Sequence, residues 1–429
     1  MWENWSGEQR CTPARVAEPD GIEAVVAEVE TARAAGQTLR PAGSGHSFTG
    51  LVPTDGVLLS LGRMDRVLNV NRETRRVRVQ AGIPLHRLND ELAAHGLALE
   101  NLGDIDRQTI AGAIATGTHG TGAGYGNLPS LVEGLTLVTG TGDVLQCSRE
   151  EDPELWRAAR VSLGALGIVC EVELRCVEAF TLHGVDAPAP LETTVASIDE
   201  LIAGAEHFEF YAFPHAGTAL TRTNRRTAAP PVPRPAWKAW ASDILLTNHV
   251  FRAACAVGKA RPALIPQVNR ALTRAVGHEE RVDRSDRIFT SPRLVRFVEM
   301  EYAVPRAALP DVLARTRAWI EETGFAVNFP MEVRFGAGDD ALLSPAFERD
   351  SAYLAVHVYR GMPWEPYFRA VEAICDEHAG RPHWGKLHFQ TAETLPSRYP
   401  AWDRFAAVRE RCDPDRVFAN AHLDRILGA

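Results

Sequence analysis

The hydrophobic positions in the first 180 residues switch between helical and strand spacing. In "DGIEAVVAEVETARAAGQ" (20–37), apolar residues recur every three or four positions, which predicts an amphipathic helix that ends near Gly36. "PLHRLNDELAAHGL" (84–97) predicts a second helix that ends near Gly96. Short β-type runs lie around these helices at 57–61, 66–71, 75–82 and 167–177, together with a hairpin pattern at 131–147. This part of the chain is typical of an α+β unit.

After about residue 180 the pattern changes to a period of two. Alternation of apolar and polar residues predicts strands at 207–213, 295–304, 328–335 and 352–359. We expect these strands to form a half-buried antiparallel sheet, flanked by helices, with one face available for function. The proline-rich stretch "AAPPVPRPAW" (228–237) predicts a linker or a surface loop. The predicted fold class is therefore α+β.

Composition and charge exclude several classes of function. The chain has 429 residues, a net charge of -9 and an ordinary charged fraction of 24%. A net negative charge argues against nucleic-acid binding and suits an enzyme with a neutral or weakly polar ligand. The segment 221–296 is locally basic, but its arginines are interspersed with few aromatic residues. We interpret it as a solvated or inter-subunit face.

Location and metal content are predicted from a few further features. The N-terminal residues lack the basic and then apolar pattern of a signal peptide. The 25 residues from 108 to 132 carry no Asp, Glu, Lys or Arg, but six glycines and four threonines make them too polar for a membrane span. The seven cysteines are scattered, without a C-x-x-C motif. We expect reduced thiols, no metal site and a cytoplasmic protein.

Three glycine-rich stretches carry the candidate chemistry. "PAGSGHSF" (41–48) has two glycines, but Phe48 stands where a dinucleotide-binding turn of the nicotinamide type needs a third. Taken alone, this loop fits a tight turn as well as a phosphate site. "TIAGAIATGTHGTG" (109–122) adds backbone N–H groups and threonine hydroxyls that suit a pyrophosphate without any Lys or Arg. "SLGALGIV" (162–169) suits the edge of a flat ring system.

These stretches resemble the FAD-binding domain of the vanillyl-alcohol oxidase superfamily. "RPHWGKLH" (381–388) is similar to a signature of its aldonolactone and alditol oxidase branch, and "DPDRVFAN" (413–420) resembles the segment that returns to the flavin domain. The closest resemblance is to the sugar-1,4-lactone oxidoreductases. It implies a PCMH-type FAD-binding domain of two α/β subdomains at 11–178, a substrate-binding cap domain at 179–400 and a returning segment at 401–429.

The resemblance implies FAD that is attached covalently through His46. Glycines around His46 leave room for the flavin ring, and no Cys in 101–112 offers a second link. Gly103 stands where related enzymes control access of oxygen to the flavin, and His119 is expected to contact the cofactor. The cofactor-binding residues implied in this way are Pro41, Ala42, Gly43, Ser44, Gly45, His46, Ser47, Gly103, Asp104, Thr109, Gly112, Thr116, Thr118, His119, Gly167, Ile168 and Asn420.

The substrate side is expected on the antiparallel sheet. In "MEVRF", Glu332 and Arg334 are two residues apart and share one face of a strand, as a surface ion pair or as part of the site. The resemblance places this pair under the flavin, with His357 and Lys386 as further catalytic residues. Whether Glu332, His357 or simple stabilisation of the alkoxide handles the alcohol proton stays open.

The implied reaction is oxidation of a secondary alcohol of a sugar-1,4-lactone of the D-arabinono, L-gulono or L-galactono type, with oxygen or another electron acceptor. An alditol (polyol) oxidase is the alternative within the superfamily. A flavin-binding module without turnover is the alternative from another class. The residues do not predict the stereochemistry of the substrate or the oligomeric state.

Overall fold

The fold was analysed in a computed structural model that describes residues 1–232, 234–235, 248–275 and 277–429. The strands are β1 (Trp2–Glu3), β2 (Arg10–Cys11), β3 (Arg15–Ala17), β4 (Leu39–Ala42), β5 (Val57–Ser60), β6 (Val67–Asn71), β7 (Arg76–Gln80), β8 (Leu97–Ala98), β9 (Val132–Val138), β10 (Val144–Ser148), β11 (Ile168–Arg175), β12 (Val177–Glu178), β13 (Thr181–Pro190), β14 (His207–Ala212), β15 (Thr218–Thr227), β16 (Glu279–Arg284), β17 (Phe297–Pro305), β18 (Met331–Gly336), β19 (Ser351–Tyr359) and β20 (Arg381–Pro382). The α-helices are Ile22–Ala34, Leu85–Ala94, Ile110–Ala115, Pro153–Ala159, Leu191–Ala196, Ile198–Ala203, Phe251–Ala260, Ile265–Ala275, Ser285–Phe289, Leu309–Thr323, Glu365–Glu377, Trp402–Cys412 and Ala421–Leu427.

The first part of the chain forms two larger sheets with helices, besides the two-stranded pairs β1-β2 and β12-β8. A parallel sheet has the order β3-β5-β4, and an antiparallel sheet has the order β10-β9-β11-β7-β6. The two predicted helices are present as Ile22–Ala34 and Leu85–Ala94. Gly36 and Gly96 follow them with φ of +62° and +73°, a left-handed conformation that ends a helix and favours glycine. The predicted hairpin is the pair β9 and β10.

The second part is built on an eight-stranded sheet with the order β16-β13-β15-β14-β18-β19-β17-β20. All the pairings are antiparallel, as the period-two pattern predicts. Helices 309–323 and 365–377 pack on this sheet through buried leucine, valine and aromatic side chains. The predicted α+β class with an antiparallel second sheet is confirmed.

For the four strands that the pattern predicted, now β14, β17, β18 and β19, the expectation of a half-buried sheet is wrong. Every residue of β17 before Pro305 is buried, and every residue of β19 before Tyr359 is buried. The apolar positions pack against helices, while the alternating polar positions face other charged groups inside the protein. A polar residue every second position therefore marks a buried ionic cluster here, because ion pairing replaces water as the partner of those side chains.

The basic segment 221–296 is only partly a solvated face. Arg222 pairs with Asp186 at 2.8 and 2.9 Å and with Glu209 at 3.2 Å, and its side chain is 17% exposed. Arg293 pairs with Asp104. For these two arginines the expectation is wrong, because carboxylates from other strands and loops cover them. The proline-rich stretch lies partly outside the described residues, and its residue Val232 donates a backbone hydrogen bond to Val282.

The C-terminal segment returns to the first part of the chain. Phe405, Phe418 and Leu423 belong to the same apolar core as the helix 22–34 and the strand β5. The guanidinium of Arg40, which is 1% exposed, donates hydrogen bonds to backbone carbonyls of three separate chain segments. The acceptors are Leu51, Leu163, Gly164 and Phe418. The predicted domain boundaries at 178 and 400 stay predictions.

Two further observations bear on the predicted location. None of the helices in the described ranges is long and apolar enough to cross a membrane. All seven cysteines lie in the described part of the chain, and each is unpaired.

Candidate active site

A long groove runs along the first part of the molecule, with a volume of about 350 Å³. Its lining is mostly backbone, small residues and threonines. Among its described lining residues only Arg40 and Asp65 carry a charge. Twelve of the predicted cofactor-binding residues line it, namely Pro41, Ala42, Gly43, Ser44, Gly45, His46, Ser47, Thr109, Gly112, Thr116, Gly167 and Ile168.

Two glycine-rich loops meet at the middle of the groove. A Cβ on Gly43 would lie 2.6 Å from the Oγ1 of Thr109, so only glycine fits there. Thr109 in turn caps the helix 110–115 and accepts a hydrogen bond from the N–H of Gly112 at 3.3 Å. Gly45 has a φ of +72°, which directs the chain from β4 toward His46. The resulting cradle offers backbone N–H groups rather than cationic side chains.

A second, smaller cavity of about 60 Å³, here called the chamber, opens from the end of the groove. The two cavities share four lining residues, His46, Ser47, Gln108 and Thr116. One end of a ligand that fills the groove would therefore lie next to a second molecule bound in the chamber. The other chamber residues are Trp5, Phe48, Gly103, Asp104, Ile105, Thr118, His119, Glu301, Arg334, His383, Gly385 and Lys386.

Five predicted cofactor-binding residues lie outside the groove. Gly103, Asp104, Thr118 and His119 line the chamber instead. Asn420 lines neither cavity: its amide donates to the carbonyls of Gly50, Leu51 and Pro53, and its Oδ1 accepts from Leu423 at 2.9 Å. Asn420 thus fixes the loop behind the groove, because it caps the last helix and binds that loop at the same time.

His46 stands where the groove and the chamber meet. Burial, with Lys386 and Arg107 nearby, lowers the pKa of His46 to about 4. Its ring is therefore neutral at neutral pH. The ring stacks on Trp5 with 6.0 Å between centroids, and no described residue forms a hydrogen bond with either ring nitrogen. A neutral imidazole with an unused lone pair is a nucleophile.

Glu332 and Arg334 form a buried pair, which excludes the interpretation as a surface ion pair. Their side chains are 9% and 12% exposed, and the two groups are in direct contact. Arg334 also lies 3.1 Å from Glu209 and 3.5 Å from Asp104. Burial, together with Asp104 and Glu209, raises the pKa of Glu332 above its ordinary value despite the contact with Arg334. The Tyr211 hydroxyl donates to Glu209 at 3.1 Å and to Glu332 at 3.4 Å.

Lys386 is held at the chamber by two carboxylates of β17. Its Nζ contacts Glu299 and lies 4.0 Å from Glu301. Burial alone would lower the pKa of Lys386, but these two carboxylates raise it above the ordinary value, so the amine is charged. His357 does not line the chamber; its Nε2 lies 3.4 Å from Glu299 and its Nδ1 lies 3.3 Å from the Pro330 carbonyl. His357 therefore contacts Glu299, which in turn contacts Lys386.

His119 and Glu301 form a second buried pair on the chamber wall. The Nδ1 of His119 lies 2.9 Å from the Gly120 carbonyl, and the Nε2 lies 2.6 Å from the Glu301 carboxylate. Burial would raise the pKa of Glu301, but His119, His383 and Lys386 hold it below its ordinary value. Glu301 is therefore ionised, and both ring nitrogens of His119 face acceptors.

The same wall brings together three side chains that bind metals in other proteins. Ligand atoms of His119, Glu301 and His383 lie within 4.8 Å of one another. The charged Nζ of Lys386, 4.0 Å from Glu301, repels a cation at this position. The absence of a metal site stays a prediction.

Several charged residues in or next to the chamber wall were not predicted from the sequence. Glu299 and Glu301 lie two apart in "VEMEYAV", the same alternation that identified Glu332 and Arg334, so that pattern was a usable signal. Glu209 in "FEFYA" shows it too. Arg293 lies on an irregular stretch without any pattern, and no signal marks it.

Comparison with known families divides the chain into two matching parts. Residues 13–148 match the family model described as FAD binding domain. Residues 172–426 match the family model described as D-arabinono-1,4-lactone oxidase.

Named relatives match along the whole length. An L-gulono-1,4-lactone dehydrogenase of Mycobacterium tuberculosis is 45% identical over 428 residues, which cover 100% of this chain and 99% of the relative. An L-gulonolactone oxidase of Bos taurus is 35% identical over 99% of this chain and 98% of the relative. A D-arabinono-1,4-lactone oxidase of Yarrowia lipolytica is 30% identical over 98% and 95%.

Among solved structures, a solvent-stable cholesterol oxidase is similar in fold. The TM-score is 0.84, at 19% sequence identity, and the match covers 100% of this chain and 97% of the other. At this low identity the likeness shows the fold alone.

Proposed function

Because the chain belongs to the D-arabinono-1,4-lactone oxidase family and carries an FAD-binding domain, we propose that it oxidises a secondary alcohol of a sugar-1,4-lactone to a ketone, with FAD as cofactor. Family membership confirms the resemblance found in the glycine-rich loops. The observation that carries the proposal is the junction at His46, where a groove lined by backbone opens into a small chamber of paired charges.

The groove fits FAD in its donor set. A diphosphate suits backbone N–H groups and threonine hydroxyls, and the loops around Gly43, Gly112 and Thr116 provide both. The close approach of Gly43 to Thr109 leaves no space for a side chain in this cradle. When FAD is bound, it supplies an acceptor for the hydride that leaves the alcohol carbon.

On the substrate side, Arg334 and Lys386 line the chamber and carry positive charge toward the alcohol oxygen. Positive groups that are fixed before the reaction stabilise an alkoxide as it forms, without a cost for reorganisation. We assign that role to these two residues. Glu332 and His357 do not line the chamber, and they act through their neighbours: Glu332 orients Arg334, and His357 supports the Glu299 that holds Lys386.

The charge arrangement favours a neutral ligand. Each cation at or behind the chamber wall contacts at least one carboxylate among the described residues, and these carboxylates outnumber the cations, so a ligand that carries a full negative charge is repelled. An intact lactone is neutral, whereas the aldonate formed by its hydrolysis carries a carboxylate. The chamber is thus suited to the lactone and disfavours its open acid. The groups involved are the carboxylates Asp104, Glu209, Glu299, Glu301 and Glu332 and the cations Arg293, Arg334 and Lys386.

We also propose that His46 is bonded covalently to the flavin. The lowered pKa keeps the ring neutral, and its nitrogens have no hydrogen-bond partner among the described residues. His46 lines both cavities, which is the position a tether between loop and cofactor needs. Replacement by alanine should release the flavin on acid precipitation.

Two further proposals concern the acceptor and the location. Gly103 places no side chain at the chamber wall, which supports oxygen as an electron acceptor. Seven unpaired cysteines support a reducing compartment, and we propose the cytoplasm.

The test is turnover with purified protein under anaerobic conditions. Mixing with L-gulono-, L-galactono- or D-arabinono-1,4-lactone should bleach the flavin absorbance, while xylitol, sorbitol and the corresponding aldonates should not. Rapid bleaching by an alditol with no reaction of the lactones would indicate the alditol oxidase alternative. A flavin that no lactone or alditol bleaches would indicate a binding module without turnover.

A further inference from the structure

The two oxygens of Asp104 have different surroundings. Its Oδ2 accepts from Nε of Arg293 at 3.2 Å and contacts Nη2 of the same guanidinium, and Nη2 of Arg334 lies 3.5 Å away. Its Oδ1 accepts no hydrogen bond from any residue in the described ranges, although the side chain is only 19% exposed and lines the chamber. A carboxylate oxygen without a donor in a small polar cavity can accept a hydrogen bond from a ligand that enters the cavity.

Asp104 is ionised in this setting. Burial would raise its pKa, but Arg293 and Arg334 hold the pKa far below the ordinary value. The carboxylate therefore accepts hydrogen bonds and donates none. Because the two guanidinium groups occupy Oδ2, they also fix the direction of Oδ1.

Arg293 reaches Asp104 from an irregular stretch of the chain, residues 290–295, here called the strap. The strap is fastened near its ends. The N–H of Ser291 donates to the Asp104 carbonyl at 3.0 Å, and the Asn248 side chain bonds the Pro292 carbonyl at 3.1 Å and the Leu294 N–H at 2.7 Å. These contacts place Arg293 on the loop that forms the chamber wall.

We propose that Asp104 Oδ1 accepts a hydrogen bond from one hydroxyl of the lactone, and that Arg293 is the positioning residue that fixes this oxygen. The inference rests on the proposed lactone oxidation and adds a determinant of substrate choice to it. A polyhydroxy ligand gains from this contact only if it carries a hydroxyl at the matching position. When a lactone without that hydroxyl binds, the buried Asp104 carboxylate lacks this hydrogen bond, so the lactone binds more weakly.

The experiment compares Arg293→Met and Arg293→Lys with the wild-type holoenzyme. Arg296→Met serves as the matched control, because Arg296 is an exposed arginine next to the strap. Loss of a hydrogen bond to a charged group predicts a roughly tenfold to 100-fold rise of KM in Arg293→Met with kcat nearly unchanged. Arg293→Lys should recover part of the loss, and Arg296→Met should behave as wild type.

Inhibition by monodeoxy lactones, each without one hydroxyl, identifies the contact. In the wild type one derivative should bind at least tenfold more weakly than the parent lactone, and in Arg293→Met this difference should shrink to about twofold. The same derivative should lose its disadvantage in Asp104→Asn. An unchanged KM in Arg293→Met, or equal discrimination of the derivatives by wild type and variant, would overturn the inference.

Two controls distinguish failure of the proposed role of Arg293 from failure of the proposed lactone oxidation. If the wild type oxidises no lactone, the proposed function fails and the variants are not the cause. If Arg293→Met does not fold, as judged by its flavin spectrum and thermal unfolding, Arg293→Lys carries the test. An Arg293→Lys variant with wild-type KM and wild-type discrimination would then contradict a role for the guanidinium.

Discussion

The Nε2 of His119 lies 2.6 Å from the Oε1 of Glu301, and its other ring nitrogen faces the Gly120 carbonyl. The two contacts hold the His119 ring on the chamber wall, between a carboxylate of β17 and a carbonyl of its own loop.

We predict that Glu301→Gln weakens the contact that holds the His119 ring, because a neutral amide replaces the ionised carboxylate next to Nε2. In protein labelled with ¹⁵N-histidine, the Nε2 resonance of His119 should shift in the variant by more than the Nδ1 resonance, which reports the unchanged contact with the Gly120 carbonyl. Glu280→Gln is the control, since Glu280 pairs with the more exposed His183 at 3.0 Å and should leave the His119 resonances in place. An unchanged Nε2 resonance in Glu301→Gln would show that this carboxylate does not hold the ring.

Lys386→Met should both destabilise the fold and abolish activity, and the two effects can be measured separately. The substitution leaves Glu299 and Glu301 buried without their cation, which costs about 3–5 kcal/mol of unfolding free energy. Adding Glu299→Gln should recover part of this stability but none of the activity. Urea unfolding and lactone turnover measure the two effects.

The control for Lys386 is Lys259→Met. Lys259 is exposed and donates to the Arg360 carbonyl at 3.2 Å, so its loss should change little. Recovery of activity in the double variant would mean that the charge of Lys386 serves only the fold.

Acid should weaken the fold between about pH 6.5 and pH 4. Burial lowers the pKa of His383 and of His422 to about 3, and Arg425 adds to the effect at His422. An unfolded histidine titrates near 6.5, so over this range the unfolded state binds more protons and stability falls as the pH falls.

Each such histidine contributes a slope of about 1.4 kcal/mol per pH unit. His422→Gln should reduce the slope by about that amount in urea titrations from pH 6 to pH 4. His278→Gln, at an exposed position, should leave it unchanged. Parallel slopes in wild type and His422→Gln would contradict the depressed pKa.

Gly45→Ala tests the backbone that presents His46. The left-handed conformation, with a φ of +72°, costs an alanine roughly 1 kcal/mol. Gly36→Ala carries the same kind of cost at a φ of +62°, with no atom within 4 Å of the added methyl group. Both variants should lose similar stability, whereas only Gly45→Ala should lose flavin, as measured by the ratio of absorbance at 450 and 280 nm. Equal flavin content in the two variants would exclude a role for this conformation in cofactor binding.

The groove could largely be predicted from the sequence because its signals are local. The loops around Gly43 and Gly112 are continuous stretches, and the groove is built from their backbones. The helix 22–34 likewise follows from apolar spacing within one segment.

The chamber could be predicted only in part because its contacts join distant segments. Asp104 and Arg293 are 189 residues apart, and nothing near Arg293 marks its partner. A period-two pattern also does not distinguish water from a facing cation, so it predicted a half-buried sheet where the carboxylates of β17 are buried. The pairing of charges across strands had to be seen in three dimensions.

Arg40 has a consequence for the synthesis of the protein. Its guanidinium binds the carbonyl of Phe418, 378 residues further along the chain. At roughly 5–20 residues per second, a ribosome needs about 20–80 s to supply that partner. Until then Arg40 lacks its hydrogen bond to the Phe418 carbonyl, so the groove next to the loop of His46 is incomplete in the nascent chain. We expect the flavin to be loaded only once Phe418 has been synthesised and its carbonyl has accepted this hydrogen bond.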